Sequence, residues 1–214
     1  MVLNRLKHWA YYLHPFETEK FIKNNKDKVS LKEGAVNVFL ASLIPAVIAL
    51  IVFTVMAIVF GVVVGGIVGF AENGAFDAGA ISGGTMLMSG VGFAIAILVL
   101  GIVGWLIGNG VFFVLAKLLG GKGSYAEQAY FSSLILGGVN LLTPFYFIPC
   151  VGRLFSIVMY IYAAFLMFRT IRFVHGLNNI RAAAVILLPI VIVIVLVAAV
   201  FLFFGTQANT FIGQ

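Results

Sequence analysis

The chain has 214 residues, of which 63% are hydrophobic and only 9% are charged, and its mean hydropathy is +1.16. Soluble domains contain about 25% charged residues. The composition therefore excludes an ordinary soluble domain and indicates a protein that crosses a membrane several times. The single cysteine, Cys150, excludes an internal disulfide and a cysteine-based metal cluster.

The first segment, residues 1–35, is predicted to be a basic cytoplasmic segment that contains a helix lying on the membrane surface. Pro15 suits the first position of that helix. Phe16, Phe21 and Ile22 supply apolar contacts among lysines and glutamates, a mixture that is typical of interfacial helices. The alternative is a solvated charged helix ahead of the first span, since the apolar face is weak.

Residues 36–214 are predicted to form a transmembrane domain of five helices, because a spanning helix needs about 20 apolar residues. The third segment is the weakest, since Asn140, Thr143 and Pro144 interrupt it. The apolar residues do not alternate as they would in a barrel strand, so the expected fold class is an all-α integral membrane protein. The five predicted spans are 36–70, 91–119, 128–148, 151–173 and 182–204.

Between the first two spans, residues 71–90 are acidic and rich in glycine. We expect a solvated loop on the outer side of the membrane. A partly re-entrant loop is the alternative, and Glu72 and Asp77 alone are weak evidence for a cation site.

Local signals mark several helix ends. Ser30 and Glu33 have the spacing of a capping box at the start of the first spanning helix. Gly176 suits the residue after the fourth helix, where φ is often positive. Asn178 or Asn179 then caps the fifth helix.

The positive charges predict the orientation of the chain. With five spans, 12 of the 13 lysines and arginines fall on one side of the membrane, and only Arg153 falls on the other. The positive-inside rule places the N-terminus in the cytoplasm and the C-terminus outside. The net charge of +6 is thereby explained by topology, and nucleic acid is not an expected partner. The 12 residues are Arg5, Lys7, Lys20, Lys23, Lys26, Lys28, Lys32, Lys117, Lys122, Arg169, Arg172 and Arg181.

Catalytic patterns are missing from the predicted spans. The sequence has no HExxH motif and no paired aspartates that would suit metal-assisted chemistry. Ser132 and Ser133 have no histidine at the same predicted depth. We therefore expect a non-catalytic protein without a cofactor or a metal ion.

Two groups of polar residues are candidate sites. The first is a cytoplasmic surface that would contact lipid headgroups, anionic ones above all, or a partner. The second is a polar pocket between the second and third spans, which would serve a transporter of small molecules or lipids. Hydrogen bonding between helices is the other interpretation of this second group. The surface comprises Lys117, Lys122, Arg169, Arg172, His175 and Arg181, and the pocket comprises Asn109, Asn140, Thr143 and Tyr146.

Three pieces of the second half resemble the Yip domain family of Ypt/Rab-interacting proteins, in its short prokaryotic form. They are "LLGGKGSYAEQAYFSSLI", "TPFYFIPCVGRLFSIV" and "FRTIRFVHGLNNIRAAAVILLP", and they occur in the expected order. The "HPFETEKFI" start also resembles short prokaryotic members. The resemblance implies five membrane helices and a cytoplasmic N-terminus, in agreement with the charge pattern.

Eukaryotic members of the family act in transport between endoplasmic reticulum and Golgi, and they associate with prenylated Rab-type GTPases and with each other. This chain lacks their long cytoplasmic N-terminal region and their "DLYGP" motif, which weighs against binding of a Rab-type GTPase. We therefore expect a multi-pass protein of the cell membrane that organises the bilayer or recruits partners. A second copy of the chain or another membrane protein is the expected protein partner.

Overall fold

The computed structural model describes the backbone of residues 2–14, 17–25, 29–69 and 75–212, and the side chains of 4–14, 17–25, 29–63 and 83–202. All regular structure within these ranges is helical, as the sequence predicts. A short 3₁₀ helix, Thr143–Phe147, follows the fifth α-helix. The α-helices are α1 (Val2–Tyr12), α2 (Thr18–Asn25), α3 (Leu31–Gly69), α4 (Ala75–Leu118), α5 (Tyr125–Leu141), α6 (Val151–His175) and α7 (Asn179–Ile212).

Four of the described helical segments are long and apolar enough to cross a membrane. Three of them match the first, fourth and fifth predicted spans, and the prediction of one long helix over 36–70 is confirmed for residues 36–69, whereas Phe70 lies outside the described residues. The third predicted span is not one continuous helix. Its first part belongs to α5, which ends at Leu141, and its second part belongs to the 3₁₀ helix that contains Pro144. The four segments are Leu31–Val63, Gly83–Leu118, Val151–His175 and Asn179–Leu202.

The predicted loop over 71–90 is wrong for residues 75–90, because they form the first turns of α4. The small residues of this stretch let α4 pack closely on α3. A Cβ atom on Gly90 would lie 2.5 Å from the Cβ of Phe53, and one on Gly83 would lie 3.2 Å from the carbonyl oxygen of Ala57. Glycine therefore serves helix packing here. Glu72 and the side chain of Asp77 lie outside the described residues.

Helix α5 is the centre of the bundle. Eleven of its 17 residues are buried, among them Gln128, Phe131 and Ser133. It packs against α1, α3, α4 and α6. A helix so enclosed must satisfy its polar side chains within the protein, since neither water nor lipid headgroups reach them.

Helices α1 and α2 form a hairpin that packs on α5 and α6. Its apolar residues face the bundle, because Trp9, Tyr12, Phe21 and Ile22 are at most 7% exposed, and the position of this segment on the membrane surface stays a prediction. Trp9 can pack so closely on α5 because Gly137 has no side chain and leaves room for the indole ring.

Two further contacts fix the hairpin. The hydroxyls of Tyr12 and Thr170 share a hydrogen bond of 2.9 Å, and the Tyr162 hydroxyl donates to the carbonyl oxygen of Leu13. Tyr162 is 13 residues before His175, the last residue of α6. Leu13 therefore lies about 20 Å along α6 from that end, at 1.5 Å per residue.

The predicted helix ends agree with the structure. The Ser30 hydroxyl accepts from the backbone N–H of Glu33 at 3.0 Å, and Gly176 has a φ of 64° after α6. Of the two asparagines, Asn178 is the cap, since its side chain accepts from the Arg181 N–H at 2.9 Å. A complete capping box, which the sequence analysis missed, is formed by Ser124 and Glu127 at the start of α5.

The close contact between Gly137 and Trp9 leads to a testable prediction. Replacing Gly137 with alanine puts a Cβ 2.5 Å from the rigid indole, so we expect the free energy of unfolding in detergent to fall by about 1–3 kcal/mol. Proteolysis of the N-terminal hairpin should become faster. Gly104→Ala is the matched control, because no heavy atom lies within 4 Å of its Cβ position. Equal stability of the two variants would contradict this packing.

Candidate functional site at the junction of two loops

The connections after α4 and after α6 meet at one end of the bundle, and we call residues 119–124 and 176–181 the loop junction. The backbone N–H of Lys122 donates to the carbonyl oxygen of His175 at 3.0 Å. The guanidinium of Arg181 donates to the carbonyl oxygen of Leu119 at 3.3 Å. One bond between main-chain groups and one bond from a side chain to a main-chain carbonyl thus connect the two loops.

Glycines make this contact possible. Gly120 has a φ of 90°, a conformation that side-chain-bearing residues rarely adopt. A Cβ on Gly121 would lie 2.7 Å from the Ala116 carbonyl oxygen and 2.8 Å from Nδ1 of His175. The "GGKG" sequence is therefore required by the tight turn and by the approach of His175.

His175 lies beneath the loop junction, at only 1% exposure, which corrects its predicted place on a basic surface. Its Nε2 lies 2.8 Å from Oε1 of Gln128. The Gln128 amide nitrogen donates to the Asn109 carbonyl oxygen at 2.9 Å, so Oε1 must face the imidazole as an acceptor. Nε2 therefore carries the proton and donates to Gln128. Nδ1 is a buried acceptor that has no hydrogen-bond partner among the described residues.

The hydrogen bonds continue across the bundle. The Asn109 side chain donates to the carbonyl oxygen of Trp105 at 2.7 Å, and the indole N–H of Trp105 donates to the Ser132 hydroxyl at 3.0 Å. Residues of α6, α5 and α4 are thereby joined in one buried polar network. Such a network fixes the relative positions of the helices, because breaking one link leaves a buried polar group without a partner.

The remaining residues of the predicted basic surface fall into two groups. Lys117, Lys122 and Arg181 are exposed around the loop junction. Arg169 and Arg172 are half-buried, with their guanidinium carbons 5.6 and 5.2 Å from the centre of the Phe173 ring. The structure therefore assigns three of the predicted cations to one exposed patch.

Arg169 and Arg172 also influence α2. A hydrogen bond from Lys23 lowers the pKa of the Glu19 carboxyl, and the charges of the two arginines lower it further. The carboxylate of Glu19 on α2 therefore lies close enough to α6 to interact with the charges of these two arginines. An open cavity of about 450 Å³ is lined by Arg172, Leu177, Asn178, Asn179 and Ile180.

The four residues of the predicted polar pocket are not brought together. Asn109 is at the level of Gln128, whereas Asn140 is 12 residues further along α5, or about 18 Å at 1.5 Å per residue. Thr143 is buried after the end of α5, and the Tyr146 hydroxyl is buried without a hydrogen-bond partner among the described residues. The Asn109 amide nitrogen donates to Trp105 within α4, and its oxygen accepts from the Gln128 amide of α5 at 3.4 Å.

Sequence reasoning missed Gln128 as the partner of His175. Gln128 could have been noticed as an amide side chain in an otherwise apolar segment. The spacing of residues along one helix, however, does not indicate a hydrogen-bond partner on another helix. Among the side chains that the structure describes, no three histidine, cysteine, aspartate or glutamate residues are placed to share a metal ion.

Comparison with known proteins gives one match. A family model described as the Yip1 domain matches residues 33–201, a range that contains both loops of the junction and all of α4, α5 and α6. No curated protein and no solved structure matches the chain.

The contact between His175 and Gln128 is testable by a double-mutant cycle. His175→Leu leaves the Gln128 amide buried without its partner, so we expect a loss of about 1–3 kcal/mol in the free energy of unfolding. The double variant His175→Leu/Gln128→Leu should lose less than the sum of the two single variants. Unfolding of the purified protein in detergent measures all four forms. Additive losses would show that the two side chains do not interact.

Proposed function

Since the chain belongs to the Yip1 domain family, we propose that it is a five-span protein of a prokaryotic cell membrane that organises the bilayer and recruits partners without catalysis. Proteins of this family are generally non-enzymatic membrane proteins. In this proposal the loop junction binds anionic lipid headgroups and docks a membrane-protein partner or a second copy of the chain.

The count of five adds α5 to the four helices that are long and apolar enough to cross a membrane. Its 17 residues extend about 26 Å, at the short end of the range for a spanning helix. The 3₁₀ helix that follows it adds length. With α5 as a span, the loop junction is cytoplasmic and Cys150 is on the outer side, which agrees with the distribution of lysines and arginines.

The observation that carries the lipid-binding proposal is the patch of Lys117, Lys122 and Arg181 on a rigid support. All three side chains are exposed, and the two loops of the junction contain no acidic residue. The buried network of His175 beneath them fixes the loops in place. Preorganised cations at a membrane surface attract anionic headgroups, by about 1 kcal/mol for each residue.

The transporter alternative receives no support from the positions of its residues. Asn109 is committed to internal hydrogen bonds, and Asn140 is about 18 Å away. Binding of a Rab-type GTPase also receives none, because the chain lacks the "DLYGP" motif. We therefore propose the loop junction itself, and no pocket within the spans, as the interacting surface.

Cysteine labelling tests the span count. Cys150 is exposed and is the only cysteine, so a membrane-impermeant maleimide should label the wild-type chain in intact cells. A Cys150→Ser/Lys122→Cys variant should be labelled only in inverted membranes. Cys150→Ser/Lys7→Cys is the control, because it should behave as the Lys122→Cys variant does. Labelling of positions 122 and 150 from the same side would show that α5 does not cross the membrane.

Neutralising the patch tests its role in lipid binding. We expect each of Lys117→Gln, Lys122→Gln and Arg181→Gln to weaken the binding of phosphatidylglycerol by about fivefold, the equivalent of about 1 kcal/mol. Native mass spectrometry of detergent-purified protein titrated with the lipid measures this affinity. Arg153→Gln removes the same charge on the proposed outer side and should leave the affinity unchanged. If Arg153→Gln weakened the binding as much as each of these three substitutions, overall charge and not the loop junction would explain the binding.

A further inference from the structure

We propose that a second cavity, between α1, α3 and α5, binds the headgroup of a zwitterionic phospholipid that carries both a phosphate and a primary ammonium, as phosphoethanolamine does. The cavity has a volume of about 360 Å³, which is large enough for such a headgroup. It lies apart from the loop junction and shares no residue with it. Its lining residues are Asn4, Arg5, His8, Glu33, Asn37, Tyr130 and Leu134.

An ion pair forms the floor of this cavity. The guanidinium of Arg5 donates to Oε2 of Glu33 at 2.6 Å and to Oδ1 of Asn37 at 2.6 Å. The Arg5 side chain is 14% exposed, whereas that of Glu33 is 42% exposed. Charge-assisted hydrogen bonds of this length are strong. The two opposite charges are therefore held in fixed positions at the edge of an open space.

The ion pair is held from behind by buried groups. Asn37 is 2% exposed, and its amide nitrogen donates to the Ser133 hydroxyl at 3.2 Å. That hydroxyl in turn donates to the carbonyl oxygen of Tyr130 at 2.6 Å. The Asn37 amide is thus oriented with its oxygen towards Arg5. The cavity is preorganised by α3 and α5, and α1 supplies its cation.

The charges match a zwitterion better than a simple anion. Arg5 has five N–H donors, of which the two named bonds use only part, and Asn4 and His8 add polar groups beside it on α1. These groups suit a phosphate. The half-exposed Glu33 carboxylate suits an ammonium, and it repels a headgroup that bears only negative charge. Phosphoglycerol lacks the cation that would offset this repulsion.

The depth of the cavity favours a lipid. Glu33 and Asn37 belong to the first two turns of Leu31–Val63, a segment long and apolar enough to span a membrane. Ionisable residues within such segments commonly mark functional sites. The end of a span is also the level of the headgroups.

An apolar strip on α3 extends from Glu33 towards the C-terminal end of the helix. Leu40, Ile44, Val47 and Ile51 follow at 7, 11, 14 and 18 residues, spacings that keep them on one face of a helix. Leu40 and Ile44 are partly buried, and Val47 and Ile51 are 51% and 58% exposed. A lipid whose headgroup occupies the cavity would lay an acyl chain along this strip.

Titration of the full-length protein in detergent tests the inference. Native mass spectrometry would compare phosphatidylethanolamine with phosphatidylglycerol, and a thermal shift assay would compare soluble phosphoethanolamine with inorganic phosphate. We expect phosphatidylethanolamine to bind about tenfold more tightly than phosphatidylglycerol, as a charge-assisted contact predicts. Soluble phosphoethanolamine should bind far more weakly than the lipid. Equal affinities for the soluble compound and the lipid would overturn the assignment to a lipid.

Glu33→Gln is the decisive variant, since its amide oxygen still accepts from Arg5 and the fold is expected to persist. It should reduce the preference for phosphatidylethanolamine to within about twofold. Arg5→Gln should weaken the binding of phosphatidylethanolamine. The Lys117→Gln/Lys122→Gln/Arg181→Gln variant is the control, because it should lower phosphatidylglycerol binding only. An unchanged thermal melt would show that Glu33→Gln is folded. If this folded variant kept the wild-type preference for phosphatidylethanolamine over phosphatidylglycerol, the inference would be overturned and the loop-junction proposal would stand.

Discussion

The enclosure of α5 is the constraint on which the rest of the structure depends. A helix surrounded by α1, α3, α4 and α6 has no access to water for its polar side chains, and a buried polar group without a partner is costly. Gln128, Ser132 and Ser133 are all buried on this one helix. Each of them is bonded to a residue of a different helix, and these bonds fix the positions of α6, α4 and α3 around it.

The same constraint connects the interior with the two candidate surfaces. The link through Gln128 ends at His175, directly beneath the loops that carry the exposed cations. The link through Ser133 ends at Asn37, which orients the ion pair in the second cavity. A lipid-binding surface gains affinity when its charged groups do not have to be ordered on binding. The buried polar side chains of α5 thus supply rigidity to sites that lie at its edges.

The N-terminal hairpin forms one side of the second cavity. Trp9 and Leu13 fill the space that Gly137 and Gly138 leave on α5, and Arg5 reaches the start of α3. Without α1, the second cavity would lose its cation and one of its sides. Helices α1 and α2 therefore pack as part of the bundle, and Arg5 is positioned by tertiary contacts with Glu33 and Asn37.

The amino-acid sequence by itself determined the fold class, the long first span, the helix ends at Ser30 and Gly176, and membership of the Yip1 domain family. These features depend on local hydrophobicity and on short-range hydrogen bonds, which a single segment specifies. The sequence also indicated Lys117, Lys122 and Arg181 as candidates for an interacting surface, which stays a prediction. It placed residues 75–90 in a loop, because glycine and polar residues within a helix resemble a loop until the neighbouring helix is known.

Only the tertiary structure decided which polar side chains meet. His175 was predicted on the surface because its neighbours are basic, yet it lies at 1% exposure against Gln128, 47 residues earlier in the chain. Arg5, Glu33 and Asn37 form one cluster although 32 residues separate the outer two. Such pairs depend on the packing of α1, α3, α5 and α6, and no pattern within one helix encodes the identity of a partner on another. The physical reason is that a buried polar group must form its hydrogen bonds with whichever polar groups are buried beside it, and spacing along the sequence does not determine these neighbours.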